Sequence, residues 1–445
     1  MPWLPGGTGE SAAPQLFHGC AKHCLRQVAS GSRCSTRRPS RGSRSWPRTS
    51  PSTGGSSPTP TPTSAPYPRN PRAMQLIPPR HIAVICPHRI GDVLLATPLI
   101  RSLKSAWPQA RIDAVTLDTS AVALEGNPDI DRIIDMPYRA SLKDSLRAVA
   151  APRHHDLAVA TLPTDRTHLL AWWCSRNRAG LIPAQGPGHR WKRWNCRWAA
   201  EAGARAGHTV DDYLQIADAL GIPRCPVVVP PRSALAPPAA LPSMAAPYAI
   251  IHPSPLFAYK QWTAAGWVAL ARHLLKRGLA VYLTGGPTAE DKARAEAVVD
   301  ATDPVRVHTL AGQLSFAELT PLIEHARIYV GPDTSVTHLA AATGTPTVAL
   351  FGPIDPRVWG PWPLRWNGPA PSPWVTRMPL QHTGNVWIVQ GIEPCVPCNQ
   401  EGCDHRPDSL SRCLTSLPAV RVIRAVDAAL GSTEHTTTAH DGENP

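Results

Sequence analysis

The strongest constraint on this chain is the rhythm with which short apolar runs alternate with longer amphipathic ones from Arg80 onward. HIAVIC (81–86) is an apolar run of strand length and PHRIGD (87–92) follows as a loop. VLLATPLIRSLKSAWP (93–108) then carries Leu95, Leu99 and Leu103 at the four-residue spacing of a helix. RIDAVTL (111–117) is a second strand. Strand, loop, helix and strand within about 35 residues form a βαβ unit, which joins parallel strands. RIIDMP (132–137) and DLAVATL (156–162) extend the series, whereas residues 183–209, rich in Trp, Arg and Gly, read as a long, partly irregular segment.

The Pro/Ala stretch PVVVPPRSALAPPAALPSMAAP (226–247) interrupts the rhythm as an interdomain linker would. The alternation then restarts. YAIIHP (248–253), LAVYLTGG (279–286), VHTLAG (307–312), RIYVGPD (327–333) and TPTVALFG (345–352) begin or form strands. Helices are expected at 266–278, 289–301, 315–326 and 335–344, with Gly278 and Gly344 as stops. The fold class expected is therefore α/β, with two Rossmann-like domains facing a central cleft, 74–235 and 236–445. Ligands of such sheets bind at the carboxyl ends of the strands.

Composition bears on what these halves handle. Hydrophobic residues, 42% of the 445, suffice for two cores. The formal charge of +13 suggests nucleic acid until its placement is considered. Residues 1–73 hold ten Lys and Arg against one acid, Glu10, so the remainder is only +4. That excludes a nucleic-acid binder as the main reading and suits an enzyme of phosphorylated substrates. Residues 1–73, rich in Ser, Pro and Arg, lack apolar periodicity and are expected to be a disordered extension, with Met74 as the natural start. No apolar run is long enough for a transmembrane helix. Eleven cysteines without a secretion signal argue for a reducing compartment.

The phrases HRIGDVLLATPLIRSLKSAWPQARID (88–113), HPSPLFAYKQWTAAGW (252–267) and GPDTSVTHLAAATGTPTVALFGPIDPRVWGP (331–361) occur in that order. Together they resemble the ADP-heptose:lipopolysaccharide heptosyltransferases, glycosyltransferase family 9, over about residues 80–430. The resemblance implies a GT-B fold, with acceptor held by the N-terminal half and donor nucleotide by the C-terminal half. It implies inverting transfer of heptose from ADP-L-glycero-β-D-manno-heptose to an acceptor hydroxyl, without catalytic metal or other cofactor. The implied partners are a nucleotide-sugar donor and a lipopolysaccharide-type acceptor, reached from the cytoplasm at the inner membrane surface. A GT-B enzyme with another donor or acceptor, or a catalytically silent sugar-nucleotide binder, are the alternatives.

Asp92 precedes a helix, where an Asp would cap free amides. The family's catalytic carboxylate falls at this position, so the resemblance makes Asp92 the general base on the acceptor hydroxyl. Gly91 would let the chain pass close to the sugar, and Arg89 could pair with a phosphate or carboxylate; His88 shares the loop. Gly331–Leu339 turns from a strand into a helix whose free amides suit a diphosphate. Thr334 and Ser335 add hydroxyls there, and the resemblance gives Asp333 the sugar hydroxyls. Ser335 departs from the Gly common in the family. His338 either contacts phosphate or packs. Ser254 follows a strand, and Lys260 matches the family's lysine near the donor phosphates, where a cation stabilises departing ADP; Trp262 is expected to pack.

Glu290 opens a helix after Gly285–Gly286 and could hold a ribose hydroxyl, with Asp291 an equal candidate. Cys395, Cys398, Cys403 and Cys413, in the Cys-rich segment 395–413, could hold structural zinc or an iron–sulfur cluster, or be unliganded thiols. Basic residues of 163–213 (Arg166, Arg176, Arg178, Arg190, Lys192, Arg193) could meet an anionic acceptor or simply face water.

Overall fold

The computed structural model describes residues 77–149, 153–186, 188–203, 207–234 and 246–438. The extension 1–73, the start at Met74 and the boundary at 235/236 lie outside the described residues. The first half runs β1 His81–Ile85, α1 Ile90–Leu95, α2 Thr97–Ala106, β2 Arg111–Leu117, β3 Arg132–Met136, α3 Leu142–Ala148, β4 Leu157–Ala160, α4 Asp165–Cys174, β5 Arg178–Pro183, α5 His189–Asn195, β6 Trp198–Ala202 and α6 Thr209–Leu220. Its six strands are parallel, in the order β3-β2-β1-β4-β5-β6.

The second half runs β7 Tyr248–Ile251, α7 Ala264–Lys276, β8 Ala280–Leu283, α8 Ala289–Asp300, β9 Val307–Thr309, α9 Leu319–Glu324, β10 Ile328–Pro332, α10 Ser335–Thr343, β11 Thr347–Phe351, α11 Pro356–Trp359, β12 Leu380–Thr383, β13 Val386–Gln390, α12 Arg412–Thr415 and α13 Ala419–Thr438. Its sheet order is β12-β13-β11-β10-β7-β8-β9, with only β12 antiparallel to its neighbour. Counted from each half's own first strand, both sheets follow the 3-2-1-4-5 order of a doubly wound fold. The order reverses between β1 and β4 in one sheet and between β7 and β10 in the other.

Four expectations need correction. The helix expected at 93–108 starts at Ile90 and breaks at Ala96. Pro98 has no N–H to give Leu94, and the Thr97 hydroxyl donates to the Leu94 carbonyl instead, at 2.7 Å. Because the helix starts early, Asp92 is its third residue and not its cap; Arg89 occupies the cap position in extended conformation.

Residues 183–209, where they are described, hold regular elements that were not expected. β5 ends there, α5 and β6 follow, and β6 pairs with β5 as the sheet edge. Residues 226–234 are not a free linker. The amide of Cys225 donates to Ser102 Oγ and that of Val229 to Thr97 Oγ1 in the first half. The Thr320 hydroxyl of the second half donates to the Pro231 carbonyl, and Arg232 pairs with Glu324 at 2.5 Å. A proline-rich extended strand thus becomes a seam.

A single apolar cluster crosses that seam. It joins Leu99, Leu103, Tyr213 and Leu214 to Tyr248, Leu322, Tyr329, Leu339 and Trp362. The segment after α11 also returns to the first half. The amide of His208 donates to the Pro371 carbonyl at 2.9 Å, Thr209 donates to Val358, and Trp362 to Pro226.

His208 caps α6 by accepting the Val210 amide at Nδ1, while Nε2 donates to the Gly360 carbonyl at 2.7 Å. Both bonds require the neutral ring, and burial pushes its pKa down to about 3. The unfolded chain takes up that proton below about pH 6.5, whereas the folded chain does not until near the folded value. This contribution to stability is therefore complete above about pH 6.5 and is lost as pH falls toward 3. We expect the free energy of unfolding, from denaturant titrations, to drop between pH 7 and pH 5, by up to about 1.4 kcal/mol per pH unit from this group. His208→Gln should flatten that slope; an unchanged slope would remove His208 as its source.

Candidate active site

The two points of strand reversal face each other. From the first half comes the β1–α1 turn. Asp92, 8% exposed, sits in the first turn of α1 with its Oδ2 in close contact with His88 Nδ1. The spacing of His88 and Asp92 brings them together across the helix start, a pairing that the sequence reading left unused. Gly91 lies against the opposite half: a Cβ there would be 3.6 Å from His338 Cδ2 and 3.8 Å from Ser335 Cβ. Arg89 reaches the same way, its guanidinium 4.9 Å over the ring of Phe257, which stacks on Tyr259.

From the second half come the turns after β7 and β10. Burial pushes His252, just past β7, down to about 4, and its Nδ1 lies 3.0 Å from Thr284 Oγ1. Ser254 is buried, its hydroxyl directed at the Asp291 carbonyl at 3.5 Å. Lys260 ends a single 3₁₀ turn, Ala258–Lys260, and its Nζ lies 2.5 Å from Asp333 Oδ2. Trp262 packs, donating from its indole to the Leu417 carbonyl and meeting Trp267 edge-on.

Thr334 caps α10: its hydroxyl accepts the Thr337 amide and lies 3.2 Å from Thr337 Oγ1. Thr337 in turn touches Tyr329 and the Pro332 carbonyl. The hydroxyl of Thr334 is thereby committed to holding the turn, and Ser335 is the member of the pair that faces Gly91. His338 is buried with Nε2 4.0 Å from Asp333 Oδ1. Burial holds its imidazole below the usual range, with Asp333 and Asp92 partly opposing and Lys260 reinforcing the shift. One imidazole therefore senses carboxylates from both halves.

The structure separates Glu290 from Asp291. Glu290 points outward on α8, three-quarters exposed and paired with Arg294 one helical turn on. Asp291 turns inward instead: Thr288 caps its amide at 3.1 Å and donates to its Oδ2 at 2.6 Å. A Cβ on Gly286 would lie 2.6 Å from that same oxygen. The Thr288-x-x-Asp291 spacing, a capping box, is the sequence signal that identifies the inward residue.

Cys395, Cys398 and Cys403 lie on the loop ahead of α12 and Cys413 within α12, all four as free thiols that do not converge tightly. Burial, reinforced by the other three, pushes Cys413 up to about 12. Among the described residues, no three of these sulfurs fall within 4.8 Å of one another. Of the basic residues in 163–213, three are held internally. Arg166 donates to Ser145, Arg178 to the carbonyls of Asn195, Ser175 and Arg176, and Lys192 is buried against Asp165. Arg176, Arg190 and Arg193 are exposed.

Chemically, the arrangement sets a carboxylate on one side of the junction. On the other stand a cation, a capped helix start and a second carboxylate. That suits removal of a proton at one wall and departure of an anion at the other.

Residues 188–368 match the model of glycosyltransferase family 9 (heptosyltransferase). Lipopolysaccharide heptosyltransferase 3 of Escherichia coli is 30% identical over 289 residues, which cover 61% of this chain and 83% of that protein. The structure of E. coli ADP-heptose lps heptosyltransferase II superposes with a TM-score of 0.60 at 20% identity, covering 80% of this chain and 99% of the other. E. coli heptosyltransferase WaaC with ADP-2-deoxy-2-fluoro heptose superposes at 0.52 and 19% identity, covering 66% and 94%.

Proposed function

This chain belongs to glycosyltransferase family 9, and from that membership we propose that it transfers heptose from ADP-L-glycero-β-D-manno-heptose to a hydroxyl of a lipopolysaccharide core, with inversion. It is a glycosyltransferase of GT-B fold. The observation that carries the finer reading is the opposition of Asp92 in one half to Lys260, Asp333 and the start of α10 in the other. Residues 74–235 would hold the acceptor and 236–445 the donor.

In this reading the acceptor hydroxyl attacks the anomeric carbon from the face opposite ADP. Asp92 takes its proton, and the C1–O bond to the diphosphate breaks. Lys260 and the free amides of α10 meet the charge that builds on the departing phosphate. Lys260 and Asp333 pair with each other. A bound donor would divide the pair, sending the ammonium to phosphate and the carboxylate to sugar hydroxyls. Such exchange lets a buried charge stay partnered throughout. Asp291, beside Ser254 and the Gly285–Gly286 turn, replaces Glu290 as the acid best placed for the ribose. The donor assignment is supported by the ADP-heptose analogue held by the E. coli WaaC structure. ADP release measured with ADP-heptose, UDP-sugars and GDP-sugars, each with truncated lipopolysaccharide cores, tests it. Faster turnover of a UDP- or GDP-sugar would transfer the reading to another donor.

A lipid-linked acceptor must be met at a membrane, and no described helix is long and apolar enough to cross one. α4 and α5 supply a surface suited to peripheral contact. Leu169, Trp172 and Trp194 are exposed there, Trp194 at 78%, among the exposed Arg153, Arg176, Arg190 and Arg193. Indoles settle at the bilayer interface, and each arginine near an anionic surface adds about 1 kcal/mol. We expect sedimentation with phosphatidylglycerol vesicles, and little with phosphatidylcholine alone. Trp194→Ala combined with Arg190→Ser and Arg193→Ser should weaken it on the order of tenfold or more, while turnover of a deacylated, soluble acceptor is retained. Equal sedimentation of the triple variant would discard this face.

A further inference from the structure

Outside the proposed active site, one group of chemistry-bearing side chains is left without a role. His81 opens β1, Asp113 is the third residue of β2, and His155 lies two residues ahead of β4. These strands are neighbours, so the three side chains meet at the amino-terminal edge of the first sheet, the end away from Asp92. His81 Nε2 lies 3.0 Å and His155 Nε2 3.1 Å from the same oxygen, Asp113 Oδ2. The two imidazole centroids are 4.2 Å apart. Asp113 and His155 are 3% and 5% exposed; His81 is partly exposed and gives a route in. The exposed His154 stands edge-on to both rings, at 5.1 and 5.8 Å.

As a purely hydrogen-bonded cluster, this arrangement is incomplete. Both imidazoles must present Nε2–H to one carboxylate oxygen. Asp113 Oδ1 and His155 Nδ1 are then buried with no hydrogen-bond partner. Leaving such buried atoms unsatisfied is unfavourable. The buried carboxylate of Asp113 therefore has an oxygen to spare.

We propose that His81, Asp113 and His155 form a binding site for a divalent transition metal ion of the zinc type. Their three ligand atoms already lie within 4.8 Å of one another, a property of no other group of three or more His, Cys, Asp or Glu among the described residues. Two imidazole nitrogens and a carboxylate oxygen match the ligand set of zinc, cobalt(II) or nickel(II), at bonds of about 2.0–2.2 Å. Calcium and magnesium prefer all-oxygen shells. An ion at the point of convergence takes the Nε2 lone pairs of the two neutral imidazoles, each ring carrying its proton on Nδ1 instead, and can engage the spare Asp113 oxygen. It ties β1, β2 and the approach to β4 together, a structural role remote from the transfer chemistry. The inference does not depend on the donor or acceptor.

The test uses the full chain, reduced and stripped with chelator, then titrated with cobalt(II) and with zinc. One equivalent of cobalt should bind with visible d–d bands and without the near-ultraviolet band of sulfur ligation, which separates this site from the cysteine loop. Zinc should raise the melting temperature. His81→Gln, at the accessible edge of the cluster, should lose that equivalent and the thermal shift with at least tenfold weaker binding, while retaining heptosyl transfer. His155→Gln should do the same, and circular dichroism checks that each variant folds. Binding undiminished in His81→Gln and His155→Gln overturns the proposal. So does cobalt uptake showing only a sulfur band, or no uptake and no thermal shift in the unaltered protein, which would leave a hydrogen-bonded cluster alone.

Discussion

Asp92→Asn is expected to lower the turnover of transfer by about 10³-fold, within the range of a lost general base, while the dissociation constant for ADP-heptose changes by no more than a few-fold. The split follows from location. Asp92 belongs to the half opposite Lys260 and Asp333, and the amide keeps its size and its place in the first turn of α1. A glutamine-sized intrusion against Ser335 and His338 is avoided, which matters because Gly91 already brings these elements into contact. Single-turnover rates with saturating donor and acceptor, beside donor titration by calorimetry, give both quantities. A loss confined to donor affinity would move Asp92 out of the base role and into binding.

The second large effect is expected for Lys260→Ala. Removing the cation takes charge stabilisation from the departing diphosphate, which costs about 10²–10³ in turnover for one such contact. It also strands Asp333, which is buried and paired with Lys260 at 2.5 Å. A buried charge without its partner repels an anionic donor, so affinity for ADP-heptose should fall together with turnover, unlike in Asp92→Asn. Lys260→Ala with Asp333→Asn should regain donor affinity but not turnover. Recovery of turnover as well would show that the lysine serves only to neutralise Asp333.

Most of the framework for these expectations was legible because strands of parallel sheets advertise themselves as unbroken apolar runs. β1, β2, β7 and β10 are legible within a residue or two, and the segments that follow β1, β7 and β10 carry Asp92, Ser254, Lys260 and Asp333. Residues whose role depends on the next turn of helix were harder to read. Asp92 precedes the expected helix in sequence yet lies inside the real one, because Arg89 starts it without a side-chain cap. Glu290 and Asp291 differ by one position, and the hydroxyl of Thr288 decides which turns inward.

The seam at 226–234 was misread for another reason. Proline-rich composition marks an extended backbone but is silent about the partners of that backbone, here Thr97, Ser102 and Thr320, far away in the chain. β5 and β6 were missed because arginine and tryptophan at their ends mask short apolar centres. The His81–Asp113–His155 cluster had no signal in spacing at all, since only strand pairing brings it together.

The return of the segment after α11 to the first half has a mechanical consequence. The halves are joined by the covalent run through residues 226–247 and, separately, by the clasp of Gly360 and Pro371 on His208. A body hung on a single tether can slide and tumble against its mate; one hung on two pins can only swing. Were the junction to open, these two links would favour a rotation, and hinges of this kind concentrate their movement in a few residues. A donor entering on one leaf and an acceptor on the other would then be brought to register by such a rotation.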